Sequence, residues 1–362
     1  MFKNHTRLFT PGPLNTLPLV KSAMNIDIGT RTKTLVDLTK NLRVELEDIA
    51  SCGDDYTCVL LQGSGTYAVE AMITTLIPPD GIVLVVCNGV YAERMAKICH
   101  IHQIKHVILD RDHTQRIEIN AVQEALIADK RITHILAVHF ETNFGVLNDI
   151  DALVHLAAQY NCQVLVDAMS SFGVLPLKYD PALIAVAASS NKCLHGTPGI
   201  SFVVARKQVL LQSSHQRTLS LDLQAQWQGF EENGQWRFTP PTHILLALWE
   251  AILQFKIAGG LLGRLEKYTR LTRQLIDGLA SIDIHPVIDE HSRAPMITTF
   301  ILGETCQINS DELYERLFAR GLVIYPSNFK DKKSFRVGCI GEIDTDDINE
   351  LIDAIKEIRY DE

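Results

Sequence analysis

The chain has 362 residues, of which 46% are hydrophobic and 21% charged, and it carries a formal net charge of -9. That length suits two packed domains better than one core, and the composition is that of an ordinary globular protein. An acidic chain has no basic excess with which to hold nucleic acid, and apolar runs such as residues 82–86 are too short to cross a bilayer, so neither partner is expected. The opening MFKNHTRLFTPGP lacks the apolar stretch of a secretion signal, and eight cysteines form no CxxC pair. Free thiols in a reducing cytoplasm are the expectation.

Taken in order, Thr10-Pro11-Gly12-Pro13 reads as a rigid, extended arm crossing towards a pocket. Apolar residues at helical spacing (Leu35, Leu38, Leu42, Leu46, Ile49) predict a helix over 35–49, and 56–61 reads as a strand. Gln62-Gly63-Ser64-Gly65-Thr66 and a helix-like run over 67–76 follow at once. Strand, glycine turn and helix start make a phosphate cradle: backbone N–H groups face the anion, and glycine lets the backbone come close. Residues 63–68 also spell G-x-G-x-x-A, which invites a dinucleotide-binding reading. Two features oppose it: the next strand, 82–86, ends in Cys87-Asn88 rather than a ribose-binding acid, and about sixty residues precede the turn, whereas that fingerprint belongs at the start of its domain.

Strands are predicted at 106–110, 133–139, 164–166, 183–188 and 200–205, with helices at 119–128 and 150–160 between them. Regular alternation of this kind predicts a mostly parallel sheet covered on both faces. A helical pattern over 244–279, broken at Gly259-Gly260, joins this part to a second of different texture. There, strands at 295–302, 323–326 and 334–340 and helices at 310–320 and 344–358 read as a smaller α+β domain presenting Arg336 from a strand.

The chemistry concentrates between Gln163 and Gly199. One buried-strand run ends in Asp167, and the next leads into Asn191-Lys192-Cys193. An acid and an amine offered together at the carboxyl ends of neighbouring strands suit pyridoxal phosphate: the amine condenses with its aldehyde, and the carboxylate keeps its ring nitrogen protonated. On these two residues alone, a helix-capping acid and a solvated lysine explain the pattern as well. Cys99, His100, His102 and His106 have the residue types of a metal site but straddle a predicted helix end and a strand, so no metal is expected.

Several blocks together resemble the class V aminotransferases over nearly the whole chain: Phe9-Thr10-Pro11-Gly12-Pro13, residues 60–70 (LLQGSGTYAVE), Asn88-Gly89-Val90-Tyr91, residues 166–173 (VDAMSSFG) and Ser190-Asn191-Lys192-Cys193. Residues 219–223 (LSLDL), Gln226-Trp227 and residues 236–243 (WRFTPPTH) resemble the phosphonate-handling branch rather than the alanine–glyoxylate branch. The resemblance implies the fold-type I pyridoxal-phosphate architecture, with a seven-stranded, mostly parallel sheet in a large domain (15–255) and a small α+β domain (1–14 with 256–362). It implies a transaminase that passes an amino group from a small aminophosphonate to a keto acid; an alanine–glyoxylate or serine–pyruvate type of activity is the alternative.

Carried over to this sequence, the family implies Lys192 and Asp167 as catalytic residues, the lysine binding cofactor and moving the proton, the acid pairing with the ring nitrogen. It implies Tyr91 on the ring face, Thr142 near the ring hydroxyl, and Ser64, Gly65 and Thr66 at the phosphate. Asn191 and Thr239, the latter from the partner subunit of a homodimer, complete the phosphate site, and Arg336 holds the substrate anion. Two stretches depart from the family. Asn143 and Phe144 follow Thr142 where small hydroxylated residues are usual, and residues 30–34 lack the acidic and aromatic residues common there.

Overall fold

The computed structural model describes residues 6–303, 306–327 and 333–360, so the first five residues of the expected arm lie outside the described part. Seven strands form the central sheet: β1 (Tyr56–Gln62), β2 (Ile82–Cys87), β3 (Lys105–Asp110), β4 (His134–Val138), β5 (Gln163–Asp167), β6 (Leu183–Ser189) and β7 (Ile200–Arg206). Their spatial order is β1-β7-β6-β5-β4-β2-β3. β7 runs antiparallel to both neighbours, and every other pairing is parallel. The expected mostly parallel, seven-stranded sheet is therefore present. β6 is buried at every residue because both faces carry helices, whereas edge strand β3 is largely exposed and begins with Lys105, a residue that discourages further pairing.

The helical pattern over 244–279 resolves into helices Thr242–Ile257 and Gly260–Ala280, set at 77° to each other. Gly259 and Gly260 both take positive φ there (86° and 63°), a turn that side chains would resist. Beyond it, a second sheet has the order β8 (His285–Pro286), β9 (Ile297–Ile301), β11 (Ser334–Gly338), β10 (Tyr325–Ser327). Helices Ser310–Ala319 and Thr345–Tyr360 accompany it. This part has its own buried core, built on residues such as Leu275, Phe300, Phe335 and Ile355, separate from the core around the large sheet. A third cluster, including Leu14, Phe140, Cys193, Tyr268 and Met296, fills the junction.

The single strand expected at 323–326 is two. Leu322–Val323 pairs in parallel with Arg7–Leu8 of the arm, while Tyr325–Ser327 belongs to the second sheet. The arm causes the split: the Arg7 N–H donates to the Gly321 carbonyl (2.9 Å) and the Phe9 N–H to the Val323 carbonyl (2.8 Å). Phe9 thereby joins the second core. A hairpin of Phe140–Glu141 with Val146–Leu147 was not expected, since two-residue strands are too short to show alternation. All eight cysteines are free and buried. Among the described residues, no single helix is long and apolar enough to cross a membrane.

Candidate active site

Strand order reverses between β2 and β4: the chain goes from β2 outward to β3, then returns to the other side of β2. In an open α/β sheet, the crevice outside the carboxyl ends of such strands is where ligands bind. Tyr91 follows β2, Thr142 follows β4, Asp167 ends β5 and Lys192 follows β6, so four of the expected residues open onto this one end.

Asp167 is 6% exposed, and one of its carboxylate oxygens accepts the Met169 N–H (2.9 Å). Burial pushes its carboxyl above the ordinary value, while the Met169 N–H and the charges of Arg94 and Lys192 pull the other way. Lys192 is held within a tight turn: the His195 N–H donates to the Lys192 carbonyl and the Gly196 N–H to the Ser190 carbonyl, each at 2.8 Å. Its Nζ donates to the carbonyl of Pro11 (2.6 Å). The expected crossing of the arm is thus real, and it explains Gly12. Its φ is +126°, and a Cβ there would lie 2.9 Å from Lys192 Nζ. Burial lowers the Lys192 ammonium pKa; Asp167 opposes the shift and Arg336 adds to it. A more easily deprotonated amine is what proton transfer needs near neutral pH.

At the glycine turn, helix Gly65–Leu76 begins two residues earlier than the pattern suggested. Ser64 occupies its N-cap, yet the side chain makes no capping hydrogen bond. A plain cap is therefore not its use here, and its hydroxyl and the first-turn N–H groups suit an anion. Gly65 packs so closely on Met169 that a Cβ would meet the sulfur at 2.3 Å, which fixes the turn beside the Asp167 strand end. Thr66 Oγ1 accepts from Arg94 Nη1 (3.2 Å), and the Arg94 guanidinium also lies 5.1 Å from the centre of the Tyr91 ring.

Tyr91, Thr142 and Arg336 form a chain of contacts. Thr142, fully buried, donates from Oγ1 to Tyr91 Oη (3.2 Å), and its carbonyl accepts from Arg336 Nη1 (3.3 Å). Arg336 is presented from β11, as expected, opposite Tyr325, whose ring centre is 5.7 Å from the guanidinium. Its Nε is buried with no hydrogen-bond partner among the described residues. A half-buried guanidinium with an idle, buried Nε fits an anion such as a carboxylate or phosphonate, which takes two parallel N–H bonds.

Asn191 is half-buried beside Lys192, and Thr239 is exposed in the segment before helix Thr242–Ile257. Phe144 is half-buried, 6.2 Å ring to ring from His113, and residues 30–34 are exposed, with Thr32 capping helix Lys33–Ala50. The cysteine/histidine cluster does not converge: Cys99 is in the core, His102 pairs with Glu70 (2.7 Å), and His106 Nδ1 bonds the Ile104 carbonyl (2.8 Å).

Three features were missed. Arg94 lies one helical turn beyond Tyr91, a spacing that could have flagged it. His195, at φ 58°, is locked by the Tyr268 hydroxyl (2.5 Å) and the Gly341 N–H (3.0 Å), anchoring the Lys192 turn to the second domain. Glu141 is fully buried, and its carboxyl is pushed up to about 7, chiefly by burial.

The family described as "Aminotransferase class-V" matches residues 19–321. A 2-aminoethylphosphonate–pyruvate transaminase of Salmonella heidelberg is 40% identical over 98% of this chain and 97% of its own length. That of Salmonella typhimurium matches equally. Among solved structures, an alanine–glyoxylate aminotransferase from Nostoc sp. superposes with a TM-score of 0.91 at 20% identity, over 99% of this chain and 96% of that one. A pyridoxamine–pyruvate aminotransferase from Mesorhizobium loti gives 0.88 at 19%, over 98% and 92%. At such identities these structures establish a common fold from end to end.

Proposed function

The chain belongs to the class V aminotransferase family, and from that premise we propose that it moves the amino group of 2-aminoethylphosphonate to pyruvate, giving phosphonoacetaldehyde and L-alanine. The observation that carries this is the half-buried Arg336, whose buried Nε has no partner among the described residues, near Asp167 and Lys192 at one end of the sheet. Both substrates carry an anion close to the reacting carbon, a carboxylate bonded to it in pyruvate and a phosphonate one methylene away in the donor, and one guanidinium fork serves each in turn.

The residues fit pyridoxal 5'-phosphate, which supplies an aldehyde for amine exchange and a ring that accepts electrons from the substrate's Cα. Ser64, Gly65 and Thr66 hold its phosphate, with Arg94 balancing the charge. Asp167 pairs with the ring nitrogen, whose positive charge would draw the acid back towards its ionised form. Tyr91 would cover the ring face, Thr142 would contact the ring hydroxyl, and Asn191 stands at the lysine turn. Lys192 Nζ would take the proton released at the substrate carbon, hold it as an ammonium and give it up again.

Thr239 is exposed, as suits a residue offered to the phosphate of another subunit. Tyr67, Leu219 and Phe238, apolar residues near it in sequence or near the glycine turn, are also exposed. A homodimer covers them and brings the partner subunit's Thr239 into the site. The large domain spans 15–255 and the small domain 1–14 with 256–362, in line with their separate cores. The eight buried free thiols accord with a cytoplasmic setting.

The test is a product assay on purified, cofactor-loaded protein. Alanine formed from pyruvate with 2-aminoethylphosphonate is expected at a kcat/KM at least about a hundredfold above that with serine as donor. Faster formation of glycine from alanine and glyoxylate would overturn the proposal and move the enzyme to the alternative branch.

A further inference from the structure

Glu141 has no role in the scheme above, yet it is fully buried at the centre of the contacts that scheme uses. One carboxylate oxygen, Oε2, accepts the N–H of Tyr91 (3.2 Å) in the first turn of helix Val90–Ile101. The other, Oε1, accepts the N–H of Asn143 (2.9 Å), and the Glu141 carbonyl accepts the N–H of Gly145 (2.9 Å). A single side chain thus caps the helix carrying Tyr91 and folds the loop carrying Thr142. That loop also abuts the second domain: a Cβ on Gly145 would meet the Ile297 carbonyl at 2.9 Å. Helix Val90–Ile101 has no side-chain cap from its own N-cap residue, Gly89. Gly89 has φ 161°, an extended backbone open to any residue, so conformation does not demand glycine here. Space does: a Cβ would lie 2.3 Å from Glu141 Cδ and 2.4 Å from its Cγ and Oε2.

We propose that Glu141 is a positioning residue that clamps the start of the Tyr91 helix to the Thr142 loop, so that ring stacking by Tyr91 and anion binding by Arg336 are set by one carboxylate. The clamp acts through Thr142, whose hydroxyl meets Tyr91 and whose carbonyl meets Arg336. Gly89 is glycine because that carboxylate occupies the place of its side chain. The proposal rests on the transaminase function above, and its test separates the two.

The test compares Glu141→Ala, Gly89→Ala and the double variant as cofactor-loaded proteins. Either single change should raise KM for both 2-aminoethylphosphonate and pyruvate by about tenfold or more, the effect of losing a hydrogen bond to a charged group, with kcat much less affected. The double variant should be no worse than Glu141→Ala, because removing the carboxylate frees the space that the added methyl needs. Losses that multiply in the double variant, or that fall on kcat with KM unchanged, would overturn the clamp. Glu141→Gln, of equal volume, replaces Glu141→Ala should the latter not fold: its amide leaves one of the two N–H groups without an acceptor, and wild-type KM values in it would equally overturn the clamp. Wild-type protein that transfers no amino group from the phosphonate would refute the function instead, whatever the variants do.

Discussion

Lys192→Ala is expected to lower turnover by at least about 10⁴-fold, the upper range for removing a general acid–base group, while the protein keeps its fold. Two observations support an effect of that size. Lys192 Nζ reaches the pocket, and burial leaves more of it as the free amine near neutral pH than an exposed lysine would have. Nζ donates to the Pro11 carbonyl, a group the arm holds in place by other bonds, so truncation removes a reactive group without dismantling a network. The arm has its own attachments, through Leu322–Val323 and through the Gly338 N–H to the Phe9 carbonyl (2.9 Å). Near-ultraviolet circular dichroism should therefore match wild type while steady-state assays fall to background. Sustained multiple turnovers by this variant would remove Lys192 from its assigned place.

Arg336→Ala is expected to act on binding rather than on proton transfer. Losing one partner of a buried, charged contact costs about 2–5 kcal/mol, so KM for both substrates should rise about 30-fold or more. Arg336→Lys should recover little, since an ammonium cannot supply a planar fork. The cofactor should stay bound, because the glycine turn, Arg94 and Asp167 lie on other elements. Single-turnover measurements of each half-reaction decide the matter. Weakening of both supports alternate use of one guanidinium; weakening of only one would mean that another cation shares the task.

What the sequence discloses about this site depends on distance along the chain. Asp167 and Lys192 end or follow short apolar runs, and the 62–66 turn joins a strand to a helix, so local pattern alone places all three at strand ends. Contacts between distant segments leave no such trace. Pro11 reaches Lys192 across 181 residues, and Arg336 reaches Thr142 across 194. Arg336 was identifiable only through family resemblance, since period-two patterning tells which face of a strand a residue lies on but not what that face meets. The same limit hid the split of 322–327, where the pairing is decided by the arm. Glu141 was hidden for another reason: a lone acid after a buried strand looks like a solvated loop residue until the backbone N–H groups it accepts are in place.

The central claim, that this pocket exchanges an amino group between a phosphonate and a keto acid, is tested most directly by a visible absorption scan of purified protein. The band of lysine-bound cofactor should disappear when 2-aminoethylphosphonate is added without any keto acid and return when pyruvate follows. A band that ignores the phosphonate yet responds to alanine or serine would contradict the claim, leaving fold and cofactor in place but assigning the site to a different donor.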